Sequence, residues 1–170
     1  KGIAAFCKEH DLWFHIDGAY GGAALLVDEV RPQFDGVESC DSITIDPHKW
    51  LFTPYDCGAI IYRHPEYAKE THAQQGSYLD IFNEKEMNGF NPSDYQVQLT
   101  RRLRRMPLWF SLAMHGTAMY KKAVSKGIEL AKKAAELIDE SAILEMVIPP
   151  NLSVVLFRRK GWEPEDYKNW

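Results

Sequence analysis

The sequence predicts an α/β fold, on three observations. Short apolar or β-branched runs at residues 12–16, 42–45 and 57–62 have the length of buried strands, and each is bounded by glycine, proline or aspartate. The connections between them are long enough for crossovers, which argues for a mostly parallel sheet covered on both faces. From residue 108 to about 141 apolar positions recur at helical spacing, followed by two further strand-like runs, so a second, smaller α+β unit is expected to begin near Pro107.

Taken in order, residues 2–10 read as the end of a helix and residues 12–16 as a strand broken by Gly18, Gly21 and Gly22. Ser42 to Ile45 is β-branched, and residues 57–62 form a third strand after the turn residues Pro54 and Asp56. Proline at residue 65 suits a helix start, extending to His72. Residues 74–95 are polar, carry Gly76, Gly89 and Pro92, and hold no sustained period, as expected of a long loop with a lid or binding role. Gly116 and residues 125–127 are expected to break the helical stretch in two. Strands are expected at 144–148 and 153–157, and a last helix from Glu163. No internal repeat is visible.

The 170 residues are 45% hydrophobic, enough for one sizeable core. A net charge of -4 gives no electrostatic basis for nucleic acid or an anionic membrane as partner. Cys7, Cys40 and Cys57 have no zinc or redox spacing, which suits a reducing compartment and points to the cytoplasm. No apolar run approaches the ~20 residues of a membrane span. The chain opens without methionine in a helical pattern and closes in another, and is read as a piece of a longer protein.

Two segments carry the chemistry. In Phe14-His15-Ile16-Asp17-Gly18-Ala19-Tyr20-Gly21-Gly22 an acid ends an apolar strand, the edge of an α/β sheet where ligands bind. A carboxylate desolvated there needs a compensating cation, and a protonated ring nitrogen would serve. An Asp at that place can equally be a turn or cap residue. In Thr44-Ile45-Asp46-Pro47-His48-Lys49-Trp50, again after a strand, a lysine stands beside a histidine and a tryptophan. Apolar surroundings favour the neutral amine, the form that attacks a carbonyl, although a lone lysine there is commonly a solvated charge. Successive strand ends would bring Asp17 and Lys49 to one crevice.

These two segments, continuing to Tyr55-Asp56-Cys57-Gly58 and through Asp94-Tyr95 and Arg101-Arg102-Leu103-Arg104 to Leu108-Trp109-Phe110, resemble the group II pyridoxal-phosphate-dependent decarboxylases, which include the aromatic-L-amino-acid and glutamate decarboxylases. The resemblance covers most of the first 120 residues. It implies a fold type I transferase architecture, with residues 1–106 in the cofactor-binding large domain and residues 107–170 at the start of the small domain. It implies pyridoxal 5'-phosphate as cofactor, an amino acid as substrate with aromatic ones favoured, and a homodimer. Lys49 would hold the cofactor as a Schiff base, Asp17 would pair with the pyridinium nitrogen, Ala19 would lie against the ring, and His48 would lie near the phosphate and reaction centre. Tyr78, by its distance from Arg101, would match the mobile-loop tyrosine that protonates Cα after carbon dioxide leaves.

Two positions depart from the pattern: Asp46 stands where many members have Asn near the phosphate, and Gly18 where many have Ala. An acid beside a phosphate dianion is expected to repel it. The basic run Arg101, Arg102, Arg104, Arg105 reads as a solvated face, with Arg101 also a candidate for a subunit contact. The family's phosphate loop and stacking residue precede the lysine segment by a long distance, so the 170 residues alone are expected to turn over little substrate. Three rival readings stand beside it: another pyridoxal enzyme of the same fold type, a metal hydrolase built on His15, Asp17 and His48, and a non-catalytic dimer scaffold.

Overall fold

The computed structural model describes residues 1–73 and 91–169. The chain opens with α1 (Gly2–Glu9), capped at its C-terminus by His10 and followed by Asp11. Asp11 takes a positive φ of 52°, and the Leu12 N–H reaches back to the Cys7 carbonyl at 2.8 Å, closing the helix as a Schellman turn with aspartate in the place glycine usually takes. Strand β1 (His15–Asp17) follows, then short 3₁₀ turns at Gly21–Leu26, Arg31–Phe34 and Val37–Ser39 carry the chain to β2 (Ser42–Ile45). Strand β3 (Ala59–Tyr62) and α2 (Pro65–His72) complete the first half.

The three strands form one sheet in the order β1-β2-β3. β1 and β2 run parallel, with Asp17 opposite Thr44, so both end at the same edge. β2 and β3 run antiparallel, with Ile45 opposite Ala59. The expected mostly parallel sheet is therefore mixed, because residues 46–58 form turns and contain no crossover helix. Nor is it covered on both faces by the described residues: Ile60 and Ile61, which alternate across β3, are 48% and 55% exposed.

The 108–141 stretch is helical over Arg105–Asp139 (α3) but is two helices joined at Gly116, whose φ of 68° and ψ of 167° are not helical, so the break expected there is present. The expected second break at 125–127 is absent. Gly127 is a packing glycine: a Cβ there would stand 3.1 Å from Trp50 Nε1, so the missing side chain lets the helix close on the indole. β4 (Leu144–Ile148) and β5 (Leu156–Arg159) pair antiparallel as a separate two-stranded sheet, and Pro164–Asn169 is a 3₁₀ turn. β5 starts later than residue 153 because Leu152 and Ser153 are engaged elsewhere, beside Gly21 and on the Tyr20 hydroxyl.

The main core forms where α3 closes on the turns after β1. Ala23, Ala24, Val27, Val30, Trp50, Val124 and Ile128 are buried together, with Phe34, Leu51 and Leu152 against them. This cluster draws on both sides of residue 107. Among the described residues no helix is long and apolar enough to cross a membrane, and all three cysteines are free.

Candidate active site

The parallel ends of β1 and β2 launch two loops that meet. After Asp17 the chain turns at once: the Asp17 Oδ1 accepts the Ala19 N–H at 3.1 Å, and the Gly22 N–H reaches the Gly18 carbonyl at 2.8 Å. Gly18 is buried against β2, where a Cβ would come within 2.9 Å of the Thr44 carbonyl oxygen, so this departure from the family pattern lets the two strand ends approach closely. The Asp46 N–H then donates to the Ala19 carbonyl at 3.0 Å, tying the loop after β2 to the loop after β1. Asp17 itself is exposed. The desolvation expected of its carboxylate is not supplied by the described residues, since a three-residue strand at a loop edge leaves that face open.

Lys49 closes the turn that begins at Asp46, its N–H donating to the Asp46 carbonyl at 2.9 Å. Pro47 and Trp50 on either side are buried, and Trp50 stacks on Tyr20 with ring centroids 4.9 Å apart and planes 6° from parallel. Tyr20 directly follows Ala19, so this stack is a second link between the two loops. Anchored neighbours hold the backbone of Lys49 while its side chain stays 43% exposed. The apolar surroundings expected of the amine give way to a charge: Nζ lies 2.9 Å from Asp46 Oδ2.

His48 faces the other way, toward the turn before β3. Its Nδ1 lies 2.6 Å from the Cys57 carbonyl oxygen and 3.0 Å from the Cys57 nitrogen. Protonated, Nδ1 donates to the carbonyl; bare, it accepts the N–H, so one main-chain residue orients the ring in either form. Tyr55 packs edge-on against it, centroids 4.7 Å apart.

Between Tyr55 and Cys57 sits Asp56, which sequence reasoning had treated only as a turn residue. Its carboxylate takes both Arg102 and Arg104, the latter at 2.9 Å. The Arg101–Arg105 run is thus not simply a solvated face. The Asp56 carboxyl is held below the usual range by its own backbone hydrogen bond and then by the two guanidinium groups. The signal available beforehand was an acid inside the quoted family segment and an i, i+2 arginine pair, but nothing in the spacing joins residues 46 positions apart.

His15 shares its face of β1 with Asp17. The buried Ser42 Oγ accepts the Trp13 indole N–H at 2.9 Å and shares a hydrogen bond of 2.8 Å with His15 Nδ1, its direction set by the imidazole tautomer. Among the described residues no group of three His, Cys, Asp or Glu side chains is arranged to hold a metal ion. Tyr78 lies outside the described residues.

The donor set suits a flat, aldehyde-bearing cofactor with a basic ring nitrogen. A primary amine is accessible after one strand end, an open carboxylate stands at the next, and Ala19 beside it carries a small side chain. Comparison with known proteins agrees. The pyridoxal-dependent decarboxylase conserved domain matches residues 1–160. The chain is 33% identical to an aromatic-L-amino-acid decarboxylase of Bacillus atrophaeus over 156 residues, 92% of this chain and 32% of that protein. Its fold is similar to the crystal structure of Oryza sativa TDC with PLP and tryptamine (TM-score 0.85, 31% identity, 92% of this chain and 32% of that one). It is also similar to mouse CSAD in the apo form (TM-score 0.78, 29% identity, 91% and 32%). The chain spans about a third of the length of the relatives it matches.

Proposed function

The chain belongs to the pyridoxal-dependent decarboxylase family, and from that premise we propose that it carries the lysine-bearing part of an active site that converts an L-amino acid, aromatic ones favoured, to its amine and carbon dioxide. The observation that carries the reading is the joining of the Asp17 and Lys49 loops at one edge of a parallel strand pair, through the Asp46 N–H on the Ala19 carbonyl.

Lys49 would hold pyridoxal 5'-phosphate through its amine, Asp17 would hold a proton on the ring nitrogen, and Ala19 would leave room for the ring. When bound, the cofactor supplies an electron sink for the charge left at Cα as carbon dioxide departs. The chain's own tasks are then positional and protonic. Asp17 would set its carboxylate opposite the ring nitrogen, its Oδ1 oriented by the Ala19 N–H. His48, whose Nδ1 is engaged by Cys57, would act near the phosphate and reaction centre through its other nitrogen, Nε2. Tyr78 delivers its hydroxyl proton to Cα, the step that makes the product an amine. In the full-length protein residues 1–106 would belong to the cofactor-binding large domain and residues 107–170 would begin the small one; separate sheets support the division, and α3 packs across it. A homodimer and a cytoplasmic setting complete the proposal. Trp109, Phe110 and Met114, each more than half exposed on α3, support a covering partner surface.

The test is the full-length protein against a panel of L-amino acids, with carbon dioxide and amine both quantified. Stoichiometric release of the two from an aromatic substrate, abolished by Lys49→Ala, is the expected result. An oxo acid as product, or full activity in Lys49→Ala, contradicts the reading.

A further inference from the structure

Lys49 has a partner that the catalytic reading does not use. Its Nζ lies 2.9 Å from Asp46 Oδ2, and of the two side chains the carboxylate is the more enclosed, 18% exposed against 43%. Asp46 is fixed from several directions. Its N–H is bound to the Ala19 carbonyl, its own carbonyl accepts the Lys49 N–H, and the next residue, Pro47, is fully buried. Its Oδ1 lies where a Cβ on Gly58 would come within 3.1 Å, so the absence of a side chain at 58 gives the carboxylate its place. The backbone that carries the carboxylate is thereby held in place beside Lys49.

We propose that Asp46 is a positioning residue for Lys49: it holds the amine as a paired ammonium at a fixed point, and that pair must open before the nitrogen can react. The inference rests on Lys49 being the cofactor lysine. In condensation with an aldehyde the ammonium first gives one proton to water. The neutral nitrogen then bonds to the carbonyl carbon, and the carbonyl oxygen leaves as water with the two remaining nitrogen protons. An acid at position 46 has an opposite explanation, repulsion of the cofactor phosphate, and the two separate cleanly. Repulsion acts only on phosphorylated reagents; pairing acts on every reagent that needs the free amine.

The experiment measures modification of Lys49 in the full-length protein with an uncharged acylating reagent, quantified by peptide mass spectrometry and normalised to the other lysines. Asp46→Asn keeps the shape and removes the charge. Lys49 should be acylated about two- to fivefold faster in D46N, the range of a partly exposed ion pair. In the unmutated protein added salt should raise the rate in the same direction by screening the pair. Borohydride trapping should rise by a similar factor with pyridoxal and with pyridoxal phosphate. Acylation indifferent to both the substitution and salt would overturn the proposal, as would a gain confined to the phosphorylated aldehyde. If D46N does not fold, the salt series on the unmutated protein decides. Failure to trap pyridoxal phosphate on Lys49 at all, with acylation still responding to D46N, would instead sink the cofactor reading and leave the pair standing.

Discussion

At the residue scale, Asp17 and Tyr78 do different work in the proposed reaction. Asp17 stands exposed at the end of β1, its Oδ1 on the Ala19 N–H. Substituting Asn keeps the turn, since the amide oxygen can still accept that N–H, but removes the charge that would face the ring nitrogen. Asp17→Asn should therefore lower kcat by about 10²–10³, as loss of a preorganised electrostatic stabiliser does, with little change in melting temperature. Tyr78→Phe should lower amine formation by about 10²–10⁴, the usual worth of a positioned general acid, while cofactor attachment to Lys49 is unaffected. Steady-state kinetics alongside the absorbance of the bound cofactor checks both. A loss of cofactor in the tyrosine variant would mean that residue serves binding, not proton delivery.

At the scale of elements, the Asp56 clamp joins the turn before β3 to the segment that leads into α3. The Asp56 carboxyl is depressed in the folded chain, first by its own backbone hydrogen bond and then by Arg104 and Arg102. Its contribution to stability is thus fully present above the ordinary aspartate value near ~3.9 and is lost as pH falls through the lower folded value. The melting-temperature gap between the unmutated protein and Asp56→Asn should be steady from about pH 7 to 5 and narrow below about pH 4. A gap that widens on acidification would contradict the clamp. A second element-scale prediction concerns Gly127, whose absent side chain lets α3 close on Trp50. Gly127→Leu should cost about 1–3 kcal/mol in denaturant unfolding through overpacking.

These elements also show where the sequence was legible. β2, β4 and α2 lie where local patterning placed them, because β-branched runs and an N-terminal proline are local signals. β3 begins at Ala59 instead of Cys57 since Cys57 is spent on His48 and Gly58 makes room for Asp46, contacts that no period reveals. Gly127 was misread for a similar reason: a glycine that breaks a helix and one that admits an indole look alike until the partner is known. The Lys49 and Asp17 segments stand out in the sequence because their residue types suit the proposed chemistry and because they resemble a known family. The ion pair to Asp46 and the Asp56 clamp depend on how turns bring backbones together.

At the scale of the whole molecule, the core around Val124, Ile128 and Trp50 fastens α3 to the turns that follow β1, so the loop bearing Ala19 and the turn bearing Lys49 rest on the same packed cluster. Trp50 is both the neighbour of Lys49 and a core residue, and Tyr20 both the neighbour of Ala19 and its stacking partner. Site and fold therefore share their supports. All of it serves one claim, that Lys49 is the amine that binds the cofactor. The most direct measurement is borohydride reduction of the full-length protein loaded with pyridoxal phosphate, followed by peptide mass spectrometry. A phosphopyridoxyl adduct is expected on the peptide containing Lys49 and absent in Lys49→Ala; an adduct on a different lysine, or a bound cofactor that borohydride attaches to none, would refute the assignment.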